Sequence, residues 1–446
     1  MITGAGPEVI GDHVRETVMG VRGRPVRSGA LALLLAVPLA LAACSSGGSS
    51  ASGGTGSPSA NSPIAIGYEV PLTGTAAVAG KQEQQGWNLG LKVFGSSVNG
   101  HKIVTYFADT GGDPAVALSQ ARSLVQQKHI QIMEGPLLAS EDAAVAPFLG
   151  TRKIPLDNLA ICGQTQLTFD AKYGNALSSG WMCDQPDSVA ADYLYSDLGY
   201  RHVTVLANDY AFGWLSAGSF IKRFTMLGGK IDKVLWPPLT TADFGPYVSA
   251  IPKSTQAVFA ETVGAGSVIF TKAYAQFGLR GKIPLYGNTT VFDYSVLPGE
   301  APSTVLGNEM AAQYCDGINT PANNKFTSLF EQTYHTRPGY YAEAAYVHAQ
   351  LAVAALKTLN GDATNPTAVA HALKTTPITA PRGPVRLNTA VYAPIQNIYI
   401  CKVTNVHGTL QNVPIKTYPA VQPWGTLPYS VWAAEYAADS TGRPSA

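Results

Sequence analysis

Short apolar runs alternate with amphipathic stretches through most of the chain, a pattern that predicts alternating strands and helices. The predicted strands of the first series are Ile64–Tyr68, Ile103–Ala108, Ile130–Met133 and Lys153–Leu156. Within this series, Asp113-Pro114 is expected to begin a helix, because Asp caps free N–H groups and Pro fits the first turn. Ala117, Ala121, Leu124 and Val125 then give that helix one apolar face.

A second series of apolar runs repeats this alternation further along the chain. Its predicted strands are His202–Ala207, Lys230–Leu235, Gln256–Ala260 and Lys282–Tyr286. They begin about 27 residues apart, which is the length of one βα unit. Two consecutive series predict an α/β protein with two doubly wound lobes, each built on a mostly parallel sheet.

The C-terminal part has too few elements for a third lobe. Helices are predicted near Asn323–Tyr334, Tyr341–Leu359 and Thr367–Leu373, followed by a strand at Ile398–Val403. We expect these elements to complete the first two lobes, with the chain crossing between lobes more than once. The length of 446 residues also favours two domains. The pattern assigns no element to the tail after Pro414.

The N-terminal region has the features of an export signal. Arginines precede an apolar run at Ala30–Ala40, which is shorter than the roughly 20 residues that span a bilayer. The segment resembles a bacterial lipoprotein signal, which predicts signal peptide 1–43, a lipidated Cys44 and a flexible Gly/Ser/Pro tether over 44–63. The mature protein would then be extracytoplasmic and anchored to the cell membrane. A plain secretory signal with a chance cysteine is the alternative, and Met19 is a second candidate start.

Composition narrows the function further. A net charge of +1 and a charged fraction of 13% provide no field that would hold nucleic acid. Beyond Cys44 the cysteines are Cys162, Cys183, Cys315 and Cys401. An even number in an exported protein predicts two disulfides, with three possible connectivities. None of the four has zinc-finger spacing, so a metal site is not expected.

The sequence lacks the HExxH, P-loop and GxSxG motifs that mark several enzyme classes. Gly264-Ala265-Gly266 is better explained as a glycine turn that opens a helix. The remaining candidates for a functional site are the loops at the carboxyl ends of the predicted strands, where open α/β sheets bind ligands. Such loops on both lobes predict a ligand cleft between them, with helix N-termini suited to an anion. A lipid-anchored enzyme with a site assembled from distant residues is an alternative.

Eight short motifs follow one another between Ile64 and Val403. They are Pro71-Leu72-Thr73-Gly74, Asp109–Ala117, Gly135-Pro136, Asp187-Ser188, Tyr210–Gly213, Thr241–Phe244, Pro321–Phe326 and Arg382–Leu387. In these motifs the chain resembles the leucine/isoleucine/valine-type substrate-binding proteins of ABC importers, which have a type I periplasmic-binding fold. The resemblance implies a monomer, with no enzymatic activity and no cofactor, that captures a small amino-acid-like or carboxylate solute. It would deliver this solute to ABC permease subunits in the membrane. A sensory module that docks on a receptor or signalling protein is the alternative function.

The resemblance also implies a hinge that lets two lobes close around the ligand. Its three crossover segments are expected near Met182–Pro186, Ala312–Asp316 and Pro394–Asn397. The implied lobe limits are 64–185 plus 314–395 for lobe I, and 186–313 plus 396–446 for lobe II with the C-terminal tail. Three cysteines fall in or beside these crossovers, and the implied disulfides are Cys162–Cys183 and Cys315–Cys401.

The family's ligand contacts can be carried over residue by residue. The expected ligand-binding residues are Ala139, Ser140, Ala160, Ile161, Cys162, Asp187, Tyr210, Phe212, Glu261, Val263 and Thr289. Thr289 stands where the family has the acidic residue that pairs with the ligand's ammonium group. Burying an ammonium without a carboxylate costs several kcal/mol, although Glu261 or Asp187 could substitute. We therefore expect a less polar carboxylate, an aromatic acid or an amide-like compound instead of a simple branched-chain amino acid.

Overall fold

The computed structural model describes residues 62–161, 172–437 and 443–444. The predicted signal peptide, Cys44, most of the tether and Cys162 lie outside these ranges. None of the helices in the described ranges is long and apolar enough to cross a membrane.

The first sheet contains six strands. They are β1 (Ile64–Val70), β2 (Ser97–Val98), β3 (His101–Asp109), β4 (Ile132–Glu134), β5 (Leu156–Ile161) and β6 (Ala176–Met182). Their order is β2-β3-β1-β4-β5-β6, and every pair except β2–β3 is parallel. The connecting helices include α1 (Ala77–Phe94), α2 (Pro114–Gln127) and α3 (Ala139–Thr151). The predicted cap of α2 is confirmed, because Asp113 accepts hydrogen bonds from the N–H groups of Ala115 and Val116 at 2.7 and 3.1 Å.

The second sheet has a parallel part and an antiparallel part. Its strands are β7 (His202–Ala207), β8 (Lys230–Leu235), β9 (Ala257–Glu261), β10 (Leu285–Gly287), β11 (Glu309–Ala312), β12 (Ile378–Ala380), β13 (Gly383–Leu387), β14 (Pro394–Val406) and β15 (Thr409–Val421). The order is β12-β13-β14-β11-β10-β9-β7-β8, with β15 paired to β14. Strands β7 to β11 pair in parallel, and β12 to β15 are joined by antiparallel pairs. The helices along this part of the chain are α4 (Asp184–Asp192), α5 (Ala211–Met226), α6 (Gly245–Ser249), α7 (Ala265–Gln276) and α8 (Pro302–Val305).

Three later helices precede β12, and the longest of them returns to the first sheet. They are α9 (Pro321–Tyr334), α10 (Tyr340–Thr358) and α11 (Pro366–Thr375). Helix α10 packs along α1 and against β6. Glycines in α1 allow this close approach, since a Cβ at Gly86 would collide with the carbonyl of Ala342. The chain thus returns to the first sheet through α10.

Buried polar side chains join the segments that were expected to form crossovers. The Gln185 side chain donates to the carbonyls of Pro394 and Val421 at 2.8 and 3.0 Å, and it accepts from Gln396 at 2.8 Å. A disulfide links Cys315, which follows β11, to Cys401 on β14. These contacts tie together the three segments that were expected to form crossovers.

The predicted lobe limits remain a prediction, and the structure shows one local difference from them. β12 and β13 lie within 314–395, the range expected for lobe I. They hydrogen-bond into the second sheet through the start of β14.

Strands β5 and β6 differ from the predicted pattern for local reasons. A strand was expected at Lys153–Leu156, but β5 begins at Leu156. Lys153 has a φ of 57°, which suits a helix end and not a strand. β6 was not predicted, because small and polar residues dominate its sequence, ALSSGWM, although it is wholly buried.

The tail that received no prediction continues the second sheet. β15 pairs with β14 through a two-residue turn at His407-Gly408, where both residues have positive φ. This is the geometry of a tight hairpin, and Gly at its second position is typical. The chain then forms α12 (Tyr429–Ala437), in which the buried Trp432 donates a hydrogen bond to Asp184 at 3.0 Å.

Candidate functional site

A cavity of about 430 Å³ lies between the two sheets, at the carboxyl ends of their parallel strands. The first lobe contributes Gly74, Thr75, Ala76, Ala77, Val78, Ala79, Leu137, Leu138, Ala139, Ala160, Trp181, Tyr340 and Tyr341. The second lobe contributes Tyr210, Phe212, Leu239, Val263, Gly264, Ala265, Val268, Thr290, Ser295, Val296 and Gly299. None of these lining residues carries a charged side chain. The volume suits a small organic ligand, and the wall is largely apolar.

Aromatic side chains from both lobes form a continuous part of the wall. The ring of Trp181 on β6 meets that of Phe212 on α5 edge to face, with centroids 6.0 Å apart. Trp181 also contacts Tyr340 at 5.6 Å, and Tyr340 lies 3.9 Å from Tyr341. Tyr210 is 5.9 Å from Phe212. Such rings favour a flat apolar ligand, which can pack against their faces and edges.

Two helices begin at the cavity from opposite lobes. α1 begins after Ala76 and α7 begins after Gly264, and neither has a side-chain cap on its first turn. The two starts lie close together, since a Cβ at Gly264 would be 3.3 Å from the carbonyl oxygen of Thr75. Uncapped N–H groups and the positive end of the helix dipole favour an anionic group at this place.

The start of α3 differs from these two helices. The side chain of Glu141 accepts a hydrogen bond from the N–H group of Leu138 at 3.1 Å. A carboxylate of the protein therefore already occupies part of this helix N-terminus, which was one of the places expected to receive an anion.

Comparison with known proteins places this geometry in a family. The sequence model of the family described as periplasmic binding protein matches residues 63–408. The chain belongs to the periplasmic binding protein family. The resemblance given by the motifs is confirmed, and members of this family are non-enzymatic solute-binding proteins of ABC transporters. Membership also implies an extracytoplasmic location.

The matches to similar proteins extend over nearly the whole lengths of those proteins. "Leu/Ile/Val-binding protein homolog 6" of Brucella melitensis is 25% identical over 362 residues, which are 80% of this chain and 91% of that protein. An ABC transporter substrate-binding protein from Sphaerobacter thermophilus has 29% identity and a TM-score of 0.76, covering 80% of this chain and 98% of its own. A solute-binding protein from Rhodopseudomonas palustris BisB5, solved with 3,4-dihydroxybenzoic acid, has 27% identity and the same TM-score, covering 81% and 98%. The type I periplasmic-binding fold is thereby shown.

Five of the ligand-binding residues expected for this periplasmic binding protein line the cavity. They are Ala139, Ala160, Tyr210, Phe212 and Val263. Ser140 is exposed on α3 and is not part of the wall. Ile161 ends β5, and its side chain is not described, while Cys162 lies outside the described residues. For the residues on the wall, contact with the ligand remains a prediction.

Three further expected residues are buried behind the wall. The hydroxyl of Thr289 donates to the carbonyl of Ala311 at 3.3 Å and to the side chain of Gln313 at 2.9 Å. Glu261 accepts from the N–H group of Asn208 at 3.0 Å, and burial raises its pKa to about 8. Burial also raises the pKa of Asp187 well above its usual value. In this structure, neither acid supplies a carboxylate to the cavity that could replace the one missing at Thr289.

Sequence reasoning missed the aromatic residues Trp181, Tyr340 and Tyr341. Trp181 lies one residue before the predicted first crossover, and the ends of crossovers face the cleft in a two-lobed protein. Tyr341 begins a predicted helix, and Tyr340 directly precedes it. Their position at the N-terminal end of α10 was a usable signal, but only the packing of α10 on β6 brings them to the cavity.

A cluster of three titratable side chains lies in the core of the first lobe. His348 on α10 lies with Nδ1 2.8 Å from an oxygen of Glu134 and with Nε2 3.8 Å from an oxygen of Asp157. All three side chains are fully buried, and they could each offer one ligand atom to a metal ion. The two carboxylates, however, face opposite nitrogens of the ring, and only that of Glu134 is within hydrogen-bond distance, which does not suit coordination of one ion.

Proposed function

We propose that this protein is the lipid-anchored receptor of an ABC importer, and that it captures a small aromatic or similarly apolar carboxylate. The observation that carries the proposal is the cavity wall, which has no charged side chain among its described residues. An amino acid would bury its α-ammonium against this wall without a counter-charge, at a cost of several kcal/mol. A carboxylic acid without an ammonium group avoids that cost.

The wall offers suitable partners for both parts of such a ligand. A ring would pack against Trp181, Phe212 and Tyr340, whose centroids lie 5.6 to 6.0 Å from one another in successive pairs. A carboxylate would lie at the uncapped starts of α1 and α7. Because these starts belong to different lobes, the ligand would gain contacts from both only when the lobes are closed. It would therefore shift the population toward the closed form that is presented to a permease.

The similar proteins support this choice of ligand class. The Rhodopseudomonas palustris protein, solved with a dihydroxybenzoic acid, resembles this chain over 98% of its own length. The Brucella relatives carry a Leu/Ile/Val-binding name, so branched-chain amino acids are the natural competing ligands.

The ligand class can be tested by calorimetric titration of the mature protein. The panel should contain benzoate, 4-hydroxybenzoate, phenylacetate, leucine, isoleucine and valine. We expect at least one aromatic acid to bind more tightly than every amino acid by about tenfold or more, which corresponds to about 1.4 kcal/mol. Tight and preferential binding of leucine, isoleucine or valine would refute the proposed ligand class.

The anchor can be tested independently of the ligand. A lipidated Cys44 would hold the protein at the membrane through its flexible tether and raise its local concentration near the permease. We expect the wild-type protein to fractionate with membranes and to incorporate a labelled fatty acid, and Cys44→Ser to lose both properties. Equal labelling of the two proteins would exclude lipidation at this residue.

A further inference from the structure

We propose that the hydroxyl groups of Tyr340, Tyr341 and Tyr210 recognise a hydroxyl group on the ligand's ring, so that the cavity selects hydroxylated aromatic acids over unsubstituted ones. This inference rests on the proposed function, since it names a subclass of the same ligands. It gives a specificity-determining role to Tyr210, which was expected at the site, and to Tyr340 and Tyr341, which were not.

The backbone at the start of α10 is firmly held, so the two adjacent tyrosines have a defined position. The N–H group of Gly339 donates to the side chain of Gln82 at 3.0 Å, and that of Tyr340 donates to Asp293 at 2.9 Å. These bonds satisfy the first donors of the helix. What α10 presents to the cavity is therefore its two side chains, whose ring centroids are 3.9 Å apart.

The three hydroxyl groups lack the partners that most other buried tyrosines have. Tyr274 donates to the carbonyl of Ile283 at 2.9 Å, and Tyr399 donates to that of Arg382 at 2.7 Å. In the part of the chain that the structure describes, the hydroxyls of Tyr340 and Tyr341 have only each other, and that of Tyr210 has no hydrogen-bond partner. A ligand that fills the cavity would shut these hydroxyls off from water and leave them unpaired at a cost, whereas a ligand with an oxygen at this place would hydrogen-bond to them.

All three groups are donors at neutral pH. Burial raises the pKa of each of these phenols above its usual value, so each keeps its proton. Tyr340 and Tyr341 are at least nine-tenths buried and belong to one lobe, whereas Tyr210 belongs to the other. A ring hydroxyl can donate and accept at once, so it can satisfy phenols from both lobes where a hydrogen atom on the ring cannot.

The test compares benzoate with 4-hydroxybenzoate and 3-hydroxybenzoate by calorimetric titration. In the wild-type protein we expect one hydroxylated acid to bind about tenfold or more tightly than benzoate, because a site with unpaired hydroxyls rejects a ligand that leaves them unpaired. Tyr341→Phe should lose about tenfold in affinity for that acid, while its affinity for benzoate changes less than about threefold. Tyr346→Phe is the matched control, since it makes the same substitution on the same helix away from the cavity.

The outcomes distinguish a failure of recognition by the tyrosines from a failure of the proposed ligand class. If benzoate binds and the hydroxylated acids bind no better, the ligand class stands and the recognition by tyrosines is refuted. If Tyr341→Phe weakens benzoate and the hydroxylated acid equally, the residue is part of the wall only, and the inference also fails. If no aromatic acid binds the wild-type protein, both proposals fall. Tyr340→Phe provides a second variant should Tyr341→Phe not fold.

Discussion

The wall of the cavity and the layer of side chains behind it differ sharply in charge. The described wall residues are neutral, yet the same strands that supply them carry fully buried acids such as Glu134, Asp157 and Glu261. Glu261 stands two residues before Val263, which lines the cavity. The neutrality of the wall is therefore not a consequence of a lobe poor in acids. The fold turns these acids away from the ligand, and burial raises their pKa values.

The contrast teaches how one scaffold can serve different solutes. An acid on the wall would pair with an ammonium group, whereas the same acid one layer deeper leaves the cavity to uncharged donors. Selectivity in this protein would then depend on which face of each strand end carries the charge. Three substitutions test this view, and the first concerns the deep layer.

The largest effect is expected from Arg382→Met. The Arg382 guanidinium is 1% exposed and donates to Glu343 and Gln396 at 2.6 Å each, and to the carbonyl of Gly180 at 2.9 Å. Its removal would leave Glu343 buried without a counter-charge, and with a hydrogen bond only from the N–H group at position 382, at 3.3 Å. We expect a loss of about 3 to 5 kcal/mol in the free energy of unfolding, measured by urea denaturation.

A double variant separates the lost charge pair from lost packing. Arg382→Met with Glu343→Gln removes the orphaned charge and should recover part of the stability that the single variant loses. If the single variant unfolds within about 1 kcal/mol of the wild type, the deep layer does not depend on this pair.

The next effect concerns the wall itself and is expected from Val263→Asp. A carboxylate at this position would face the cavity near the start of α7, where we place the ligand's carboxylate. Two like charges at close range should weaken aromatic-acid binding by about 2 kcal/mol, or about 30-fold. Calorimetric titration of Val263→Asp and of the neutral isostere Val263→Asn measures the charge effect alone. Equal losses in the two variants would contradict it.

The general fold could be predicted because its signals are local. The alternation of apolar runs with helical faces predicted doubly wound α/β lobes. The cap at Asp113 could be predicted from the pair Asp113-Pro114. β6 was missed because its side chains, although buried, are small or polar. The β14–β15 hairpin was missed because its turn, His407-Gly408, is an uncommon pair for a tight turn.

The site was predictable only where strand ends follow the family pattern. Tyr210, Phe212 and Val263 directly follow β7 and β9, so the topology alone brings them to the cleft. Tyr340 and Tyr341 reach it through the packing of a helix that returns from far along the chain. The depth of Glu261 and Thr289 was equally hidden, because a sequence does not show which way a side chain points at the end of a strand or just beyond it.

Counted per pH unit, the smallest effect is expected from Glu261→Gln. Burial raises the pKa of Glu261 from 4.5 to about 8, so the folded protein keeps a proton that the unfolded chain releases between these values. Stability should therefore fall as pH rises through this window, by up to about 1.4 kcal/mol per pH unit from this group, and level off above it. Below pH 4.5 both states carry the proton, and the group contributes no dependence.

Glu261→Gln keeps an oxygen that can accept from Asn208 but cannot ionise, so its free energy of unfolding should fall less steeply between pH 5 and 8 than that of the wild type. Urea denaturation at several pH values measures the two slopes. Glu331→Gln, at a side chain that is 41% exposed, is the matched control for replacing a glutamate by glutamine. Parallel slopes for Glu261→Gln and the wild type would mean that Glu261 is ionised at neutral pH. A charge would then lie directly behind Val263, and an ammonium-bearing ligand would again be compatible with this cavity.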